Sequence, residues 1–169
     1  MAKKRKAKAP KKEPKKKAAE EELEEDLELS DEDDGLDEES DDLATEGIDA
    51  ILNVAHDLQA TRGWMHGIEY AQIGLIDGPG NPLAAYCAAI LALETLRKRH
   101  DQVLVCCHAG SRSFAVVLMY LNLISRNGWD GCLDILRERV DWTFPVPHPA
   151  HRAAFERLNW RWLDSIIGG

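Results

Sequence analysis

The sequence predicts an α/β domain with a mostly parallel sheet flanked by helices, preceded by a disordered charged tail. Three observations carry that prediction. Short apolar runs alternate with segments of helical periodicity. One such run ends in a thiol, a turn of small residues and an arginine at a helix start. The strong charge bias is confined to the first quarter of the chain. Strands that alternate with helices bury their apolar faces as helices laid on a parallel sheet.

At 169 residues the chain has room for one ordinary domain. Residues 1–17 are mostly Lys, Arg, Ala and Pro, and residues 20–42 are dominated by Asp and Glu, with Leu23, Leu27, Leu29 and Leu36 among them. Such blocks bury too little apolar surface to offset chain entropy, so residues 1–42 are expected to be a disordered tail and residues 43–167 the domain. Nearly all of the net charge of −9 lies before residue 47, because residues 47–169 carry 11 Lys+Arg against 12 Asp+Glu.

Within the domain, Asp49–Ala55 reads as a buried strand and Ile68–Gly74 as a weaker alternating one. A polar segment from His56 to Gly67 joins them. Asp77-Gly-Pro-Gly-Asn-Pro82 is a loop by its turn chemistry. Asn81 then suits a helix N-cap with Pro82 at the first helical position, and Arg97, Lys98 and Arg99 suit the C-terminal end. Leu83, Cys87, Ile90, Leu93 and Leu96 recur at helical spacing between them, which makes Cys87 a packing residue.

Gln102–Val105 is expected to be the central strand, apolar enough for burial on both faces. The helix after it, from about Arg112 to Arg126, is apolar nearly all round and belongs inside the domain. Gly128 ends it, and Asp130 caps a shorter helix through Arg139. A last helix from about Pro149 carries Phe155, Leu158, Trp162 and Ile166 on one stripe.

Between the central strand and the apolar helix lies Cys107-His-Ala-Gly-Ser-Arg-Ser113, with Cys106 just before it. Backbone N–H groups of a turn, together with a helix N-terminus, converge on one spot and favour negative charge there. That field stabilises a thiolate, the nucleophilic form of cysteine. Arg112 adds a planar fork that matches phosphate oxygens. The loop Cys107, His108, Ala109, Gly110, Ser111 and Arg112 is therefore the candidate anion-binding loop. His108 reads as a polar loop residue. The four cysteines show no zinc-ligand spacing, and no metal or cofactor is called for.

Several separate pieces resemble the dual-specificity branch of the protein tyrosine phosphatases. Ile51-Leu-Asn-Val-Ala55 looks like that family's early strand, Val103–Ser113 like its signature loop, and Ile135–Arg139 with Phe155–Leu158 like its closing helices. The family's first strand has no counterpart upstream of residue 43. The family loop reads His-Cys-x-x-Gly-x-x-Arg-Ser/Thr, and here its two halves disagree. Spacing to Arg112 selects Cys106, whereas spacing to Gly110 selects Cys107. In the shorter register the loop also resembles that of a rhodanese sulfurtransferase.

The resemblance implies a cysteine-dependent phosphatase that works through a phosphocysteine. Cys106 is the expected nucleophile on spacing to Arg112, with Cys107 the alternative. Asp77, 29 residues before Cys106, takes the place of the family's general acid. Ser113 matches the hydroxyl that assists breakdown of the intermediate. Other readings stay open: a phosphate-binding pseudophosphatase, a redox-responsive thiol site, or a sulfurtransferase using Cys107.

The expected partner is a phosphorylated protein or a small phosphate ester. No apolar run approaches the ~18–20 residues of a membrane span, and contact with nucleic acid has only the basic tail Lys3–Lys17 to rest on. The charged start is not followed by an apolar core of a signal peptide. An intracellular, cytoplasmic location with reduced cysteines is expected, and Lys3–Lys6 reads also as a nuclear address.

Overall fold

The computed structural model describes residues 43, 45–58, 67–139 and 145–168. The expected tail, residues 1–42, and much of the polar segment before Gly67 lie outside the described residues. Among the described residues three strands form the sheet: β1 (Ala50–Ala55), β2 (Glu69–Leu75) and β3 (Val103–Cys106). Their order is β2-β1-β3, and both pairings are parallel. Ala50 sits opposite Glu69 on one side and Val103 on the other.

The middle strand is β1, all six of whose residues are buried, and not β3, whose four residues are only partly buried. The expectation that Gln102–Val105 is central therefore needs correction. An apolar run signals burial but carries no information on pairing order, and the longer β1 is the strand with two neighbours among the described residues. Gln102 lies just before β3 and uses its carbonyl to accept the N–H groups of Asp49 and Ala50.

One polar residue sits inside β1. Asn53 is buried, and its side chain replaces strand bonds: Oδ1 accepts the N–H of Ala55 at 2.9 Å, while Nδ2 donates to Leu58 O and Tyr70 Oη, each at 2.9 Å. The pairing with β2 slips between Asn53 and Ala55 as a result. Such an irregularity bends a strand end and redirects the chain beyond it, here the His56–Leu58 segment.

The helices are α1 (Leu83–Arg99), α2 (Ser111–Ser125), α3 (Gly128–Arg139), α4 (Pro149–Arg157) and α5 (Trp160–Ile167). Helix α2 is the buried one, with Phe114, Ala115, Val116, Leu118, Met119 and Leu123 in the core. It stops at Ser125, where Arg126 takes a left-handed conformation, and Gly128 opens α3 instead of ending α2. Asp130 lies in the first turn of α3. Helix α1 buries Tyr86, Ala89, Ile90, Leu93 and Leu96, with Leu83 and Cys87 at the edge of the same core, and its last turn carries Arg97, Lys98 and Arg99. No helix among the described residues is long and apolar enough to cross a membrane.

The single closing helix expected from Pro149 onward is two helices. Leu158 turns extended, and Asn159 caps α5 by accepting the N–H of Trp162 at 3.1 Å. That break rotates the stripe. Leu163 is 0% exposed, whereas Trp162 and Ile166 are 45% and 46% exposed. Leu163→Ala should therefore lower unfolding free energy by about 2–5 kcal/mol, the range for emptying a buried leucine site. Trp162→Ala should cost under about 1 kcal/mol, both read from urea unfolding midpoints at a common slope.

Candidate active site

The loop that joins β3 to α2 is built around Gly110. Its φ of 81° is left-handed, and a Cβ there would lie 2.6 Å from Cγ of Pro145. Only glycine meets both demands. The turn aims the Gly110 N–H at Sγ of Cys107 at 3.1 Å, and the Ser113 N–H meets the same sulfur at 3.4 Å. As a thiol, Cys107 donates to Ser113 Oγ at 3.4 Å, and Ser113 donates on to the Gly110 carbonyl at 3.1 Å.

These contacts separate the two adjacent thiols. Burial pushes Cys107 up, but the Ser113 hydroxyl and the backbone N–H groups of Ser113, Arg112 and Gly110 outweigh it and hold the thiol below its ordinary range. Burial pushes Cys106 up, and the neighbouring Cys107 adds to that rise. Cys106 is the last residue of β3, opposite Asn53. The loop amides thus single out Cys107, not the Cys106 favoured by spacing to Arg112. The physical reason is that glycine placement is the tighter constraint here, while a long arginine side chain tolerates a displaced Cα. His108 and Ala109 are exposed at the loop tip.

Arg112 stands in the first turn of α2 with 4% of its side chain exposed. Nη1 donates to Asp57 Oδ1 at 2.5 Å and to the Leu75 carbonyl at 3.0 Å. Burial opposes the Arg112 charge, but Asp57's hydrogen bond and charge and the nearby Cys107 more than offset it, so the guanidinium is held above its usual range. The hydrogen bond from Arg112 likewise holds the Asp57 carboxyl below its usual range. Nε of Arg112 is buried with no partner. An unpaired buried donor is costly, and an oxyanion seated at the loop is the ligand that would satisfy it.

Asp77 joins the site through the loop after β2. Its Oδ1 accepts the Ser111 hydroxyl at 2.7 Å and lies 3.4 Å from Nε2 of His151. Ser111 Oγ in turn accepts the N–H of His148 at 3.0 Å. The Ser111 bond, then His151, keep the Asp77 carboxyl below its usual range against the opposing effect of burial. Asn81 does not cap α1, whose N-cap is Pro82. It braces the Asp77 loop instead, accepting from Ile76 N at 2.8 Å and donating to Ile76 O at 2.8 Å and Gly78 O at 3.2 Å. A side chain that closes its own preceding turn is unavailable for the helix after it.

Cys107, Gly110, Ser111, Arg112, Ser113 and Asp77 are thereby gathered. Asp57, Tyr86 and His151 complete the surroundings and were not singled out by sequence. Asp57 lies just past a strand end with nothing in its spacing to mark it. His151 shares a stripe with Ala154 and Phe155 on α4, so a histidine on a buried helix face was the one available sign. Among the described residues no group of three His, Cys, Asp or Glu side chains is placed to hold a metal ion. Iodoacetamide near neutral pH should alkylate Cys107 well before Cys106, as read by peptide mass mapping, since only the former is held toward thiolate. Gly110→Ala, which displaces the amide that faces the sulfur, should narrow that difference.

No protein-family model matches the chain, and no curated protein matches it. Solved structures do. The chain is similar to DUSP15 at 23% identity, over 76% of this chain and 80% of that one, with a TM-score of 0.63. It is similar to Tk-PTP in its active form at 18% identity, over 74% of this chain and 86% of that one, with a TM-score of 0.59. Human DUSP28 matches at 18% identity over 76% and 86%, with a TM-score of 0.52. The likeness is one of architecture: the chain has the fold of the dual-specificity phosphatases.

Proposed function

We propose that this chain is a cysteine-dependent phosphatase that hydrolyses a phosphate monoester through a phosphocysteine on Cys107. The observation that carries the reading is the convergence of the Gly110 and Ser113 N–H groups on Cys107 Sγ at 3.1 and 3.4 Å. Donors preorganised around a sulfur at a helix N-terminus favour both the thiolate and the phosphoryl oxygens that replace solvent there.

In this mechanism the Cys107 thiolate attacks phosphorus in line as the ester oxygen leaves with a proton from Asp77. Loop amides and the open Nε edge of Arg112 hold the equatorial oxygens. Asp77, now a carboxylate, takes a proton from water. That water displaces Cys107 from phosphorus, releasing inorganic phosphate and the thiolate. Ser113, already bonded to Cys107, stabilises the departing sulfur. Asp57 and the Leu75 carbonyl keep Arg112 in place without occupying its Nε. In the resting site Asp77 is held toward its ionised form, and the negative charge of a bound phosphate raises its proton affinity.

The rim bears on substrate class. Three of the exposed large hydrophobics, Leu58, Ile76 and Val146, directly adjoin Asp57, Asp77 and Pro145 in sequence. Lys98, on α1, is the single lysine after residue 47. Apolar side chains next to these site residues and the near-neutral charge of residues 47–169, 11 Lys+Arg against 12 Asp+Glu, support a protein or aryl phosphate over a polyanionic substrate.

Cys107→Ser should lower turnover of an aryl phosphate by at least about three orders of magnitude while vanadate binding survives, and Cys106→Ser should retain activity. Asp77→Asn should slow an alkyl phosphate by roughly 10²–10⁴-fold and an activated aryl phosphate far less, because a good leaving group needs little protonation. Vanadate binding without turnover in the wild type would identify a pseudophosphatase. The five-residue step from Cys107 to Arg112 supports the sulfurtransferase reading, so thiosulfate-to-cyanide transfer without phosphatase turnover would replace the proposal with that one.

A further inference from the structure

We infer that His151 is a positioning residue for Asp77, donating from Nε2 to orient the carboxyl and to set the pH at which it takes a proton, with Tyr86 fixing which ring nitrogen carries the hydrogen. This inference rests on the proposed phosphatase reading and adds to it a residue on α4, outside both the loop and the acid segment.

His151 is fully buried, and Tyr86 on α1 is 1% exposed. Such groups stay inside only when their polar atoms are paired. Tyr86 Oη accepts from Asn81 Nδ2 at 3.3 Å and lies 2.7 Å from His151 Nδ1. Asp77, held toward its carboxylate form, can only accept from Nε2, so Nδ1 is the ring nitrogen left to take the Tyr86 hydrogen. The ring hydrogen is then on Nε2, the nitrogen 3.4 Å from Asp77 Oδ1. A partner at one ring nitrogen decides the state of the other.

The donors are also distributed in a telling way. Ser111 and His151 both address Oδ1 of Asp77, at 2.7 and 3.4 Å, and Oδ2 has no hydrogen bond among the described residues. Oδ2 is therefore the atom left to carry a proton to a leaving oxygen. The His151 contact is the longer of the two.

Burial holds the imidazole below its ordinary range against the opposing pull of Asp77. Asp77 faces it from the β2–α1 loop, Tyr86 from α1, Arg112 from α2 and His148 from the start of α4, its ring centroid 6.2 Å away. Burial is the largest influence and opposes protonation, Asp77 favours it, and His148 and Arg112 oppose it, with a net lowering. A neutral ring donates one hydrogen bond, here from Nε2. A donor to the carboxylate lowers the Asp77 proton affinity, so removal of His151 raises it.

The test compares the full chain with His151→Gln, His151→Leu and Tyr86→Phe. Two readouts are taken, the Asp77 carboxyl titration by ¹³C NMR, assigned with Asp77→Asn, and the pH profile of kcat/KM on alkyl and aryl phosphates. His151→Leu should move the Asp77 midpoint and the basic limb of the profile to higher pH. Away from that limb, it should slow the alkyl phosphate at least about tenfold more than the aryl one. Gln, whose amide reaches the Nε2 position, should restore most of both, and Tyr86→Phe should shift them in the same direction by less. In an Asp77→Asn background the His151 substitution should add under about twofold.

An unchanged Asp77 midpoint in folded His151→Leu overturns the inference, as does equal loss on both substrates. Should thermal unfolding show that the Leu variant does not fold, His151→Gln and Tyr86→Phe decide, and unchanged titration in Tyr86→Phe overturns it equally. The titration needs no turnover. A wild type without phosphatase activity whose Asp77 midpoint still moves would sink the proposed function and support His151's hold on Asp77.

Discussion

A charged guanidinium sits at the base of a buried helix, and much of the site depends on how that charge is accommodated. Taking an ion out of water costs several kcal/mol unless it is paired and hydrogen-bonded. Arg112 meets the demand with Asp57 and with the Leu75 carbonyl, one from the segment after β1 and one from the last residue of β2. Both strand ends must therefore stand beside the first turn of α2. The Asn53 irregularity in β1 is the local device that lets the chain leave the sheet toward it. Nε stays buried without a partner, and that gap in the hydrogen-bond pattern is what the proposed phosphate would fill.

The anion loop illustrates two constraints in competition. An arginine six residues after the thiol would select Cys106, and a glycine three residues after it selects Cys107. Glycine wins because its backbone is left-handed and its Cα abuts Pro145, with no side-chain length to absorb an error. Arg112 reaches its partners from the shorter register because a flexible stem does absorb one. The outcome divides neighbouring cysteines electrostatically: one is surrounded by N–H groups, while the other is raised by burial and by its neighbour's charge.

The acid segment is held by a second set of contacts that converge from far along the chain. Asn81 closes the turn, Ser111 ties Asp77 to the anion loop, and the Tyr86–His151 pair approaches from α1 and α4. Ser111 belongs to both halves, since it also accepts from the backbone of His148. A polar network of this kind is stable only when its members are satisfied, and each of these side chains has its partner.

Local pattern alone determined a good deal. Apolar runs and helical periodicity located three strands and the helices, because backbone conformation answers to neighbours a few residues away. The thiol–glycine–arginine order marked the anion loop, and the resemblance to the phosphatase family marked Asp77, in a loop read from turn chemistry, as a second contributor. Strand order, the convergence of loop N–H groups on Cys107, the break at Leu158–Asn159 and the contacts of Asp57, Tyr86 and His151 were decided only in three dimensions. Asp57 and Arg112 are 55 residues apart and His151 and Asp77 are 74 apart. Nothing in a linear spacing encodes such meetings, because they are set by which strands pair and by which buried charges require a partner.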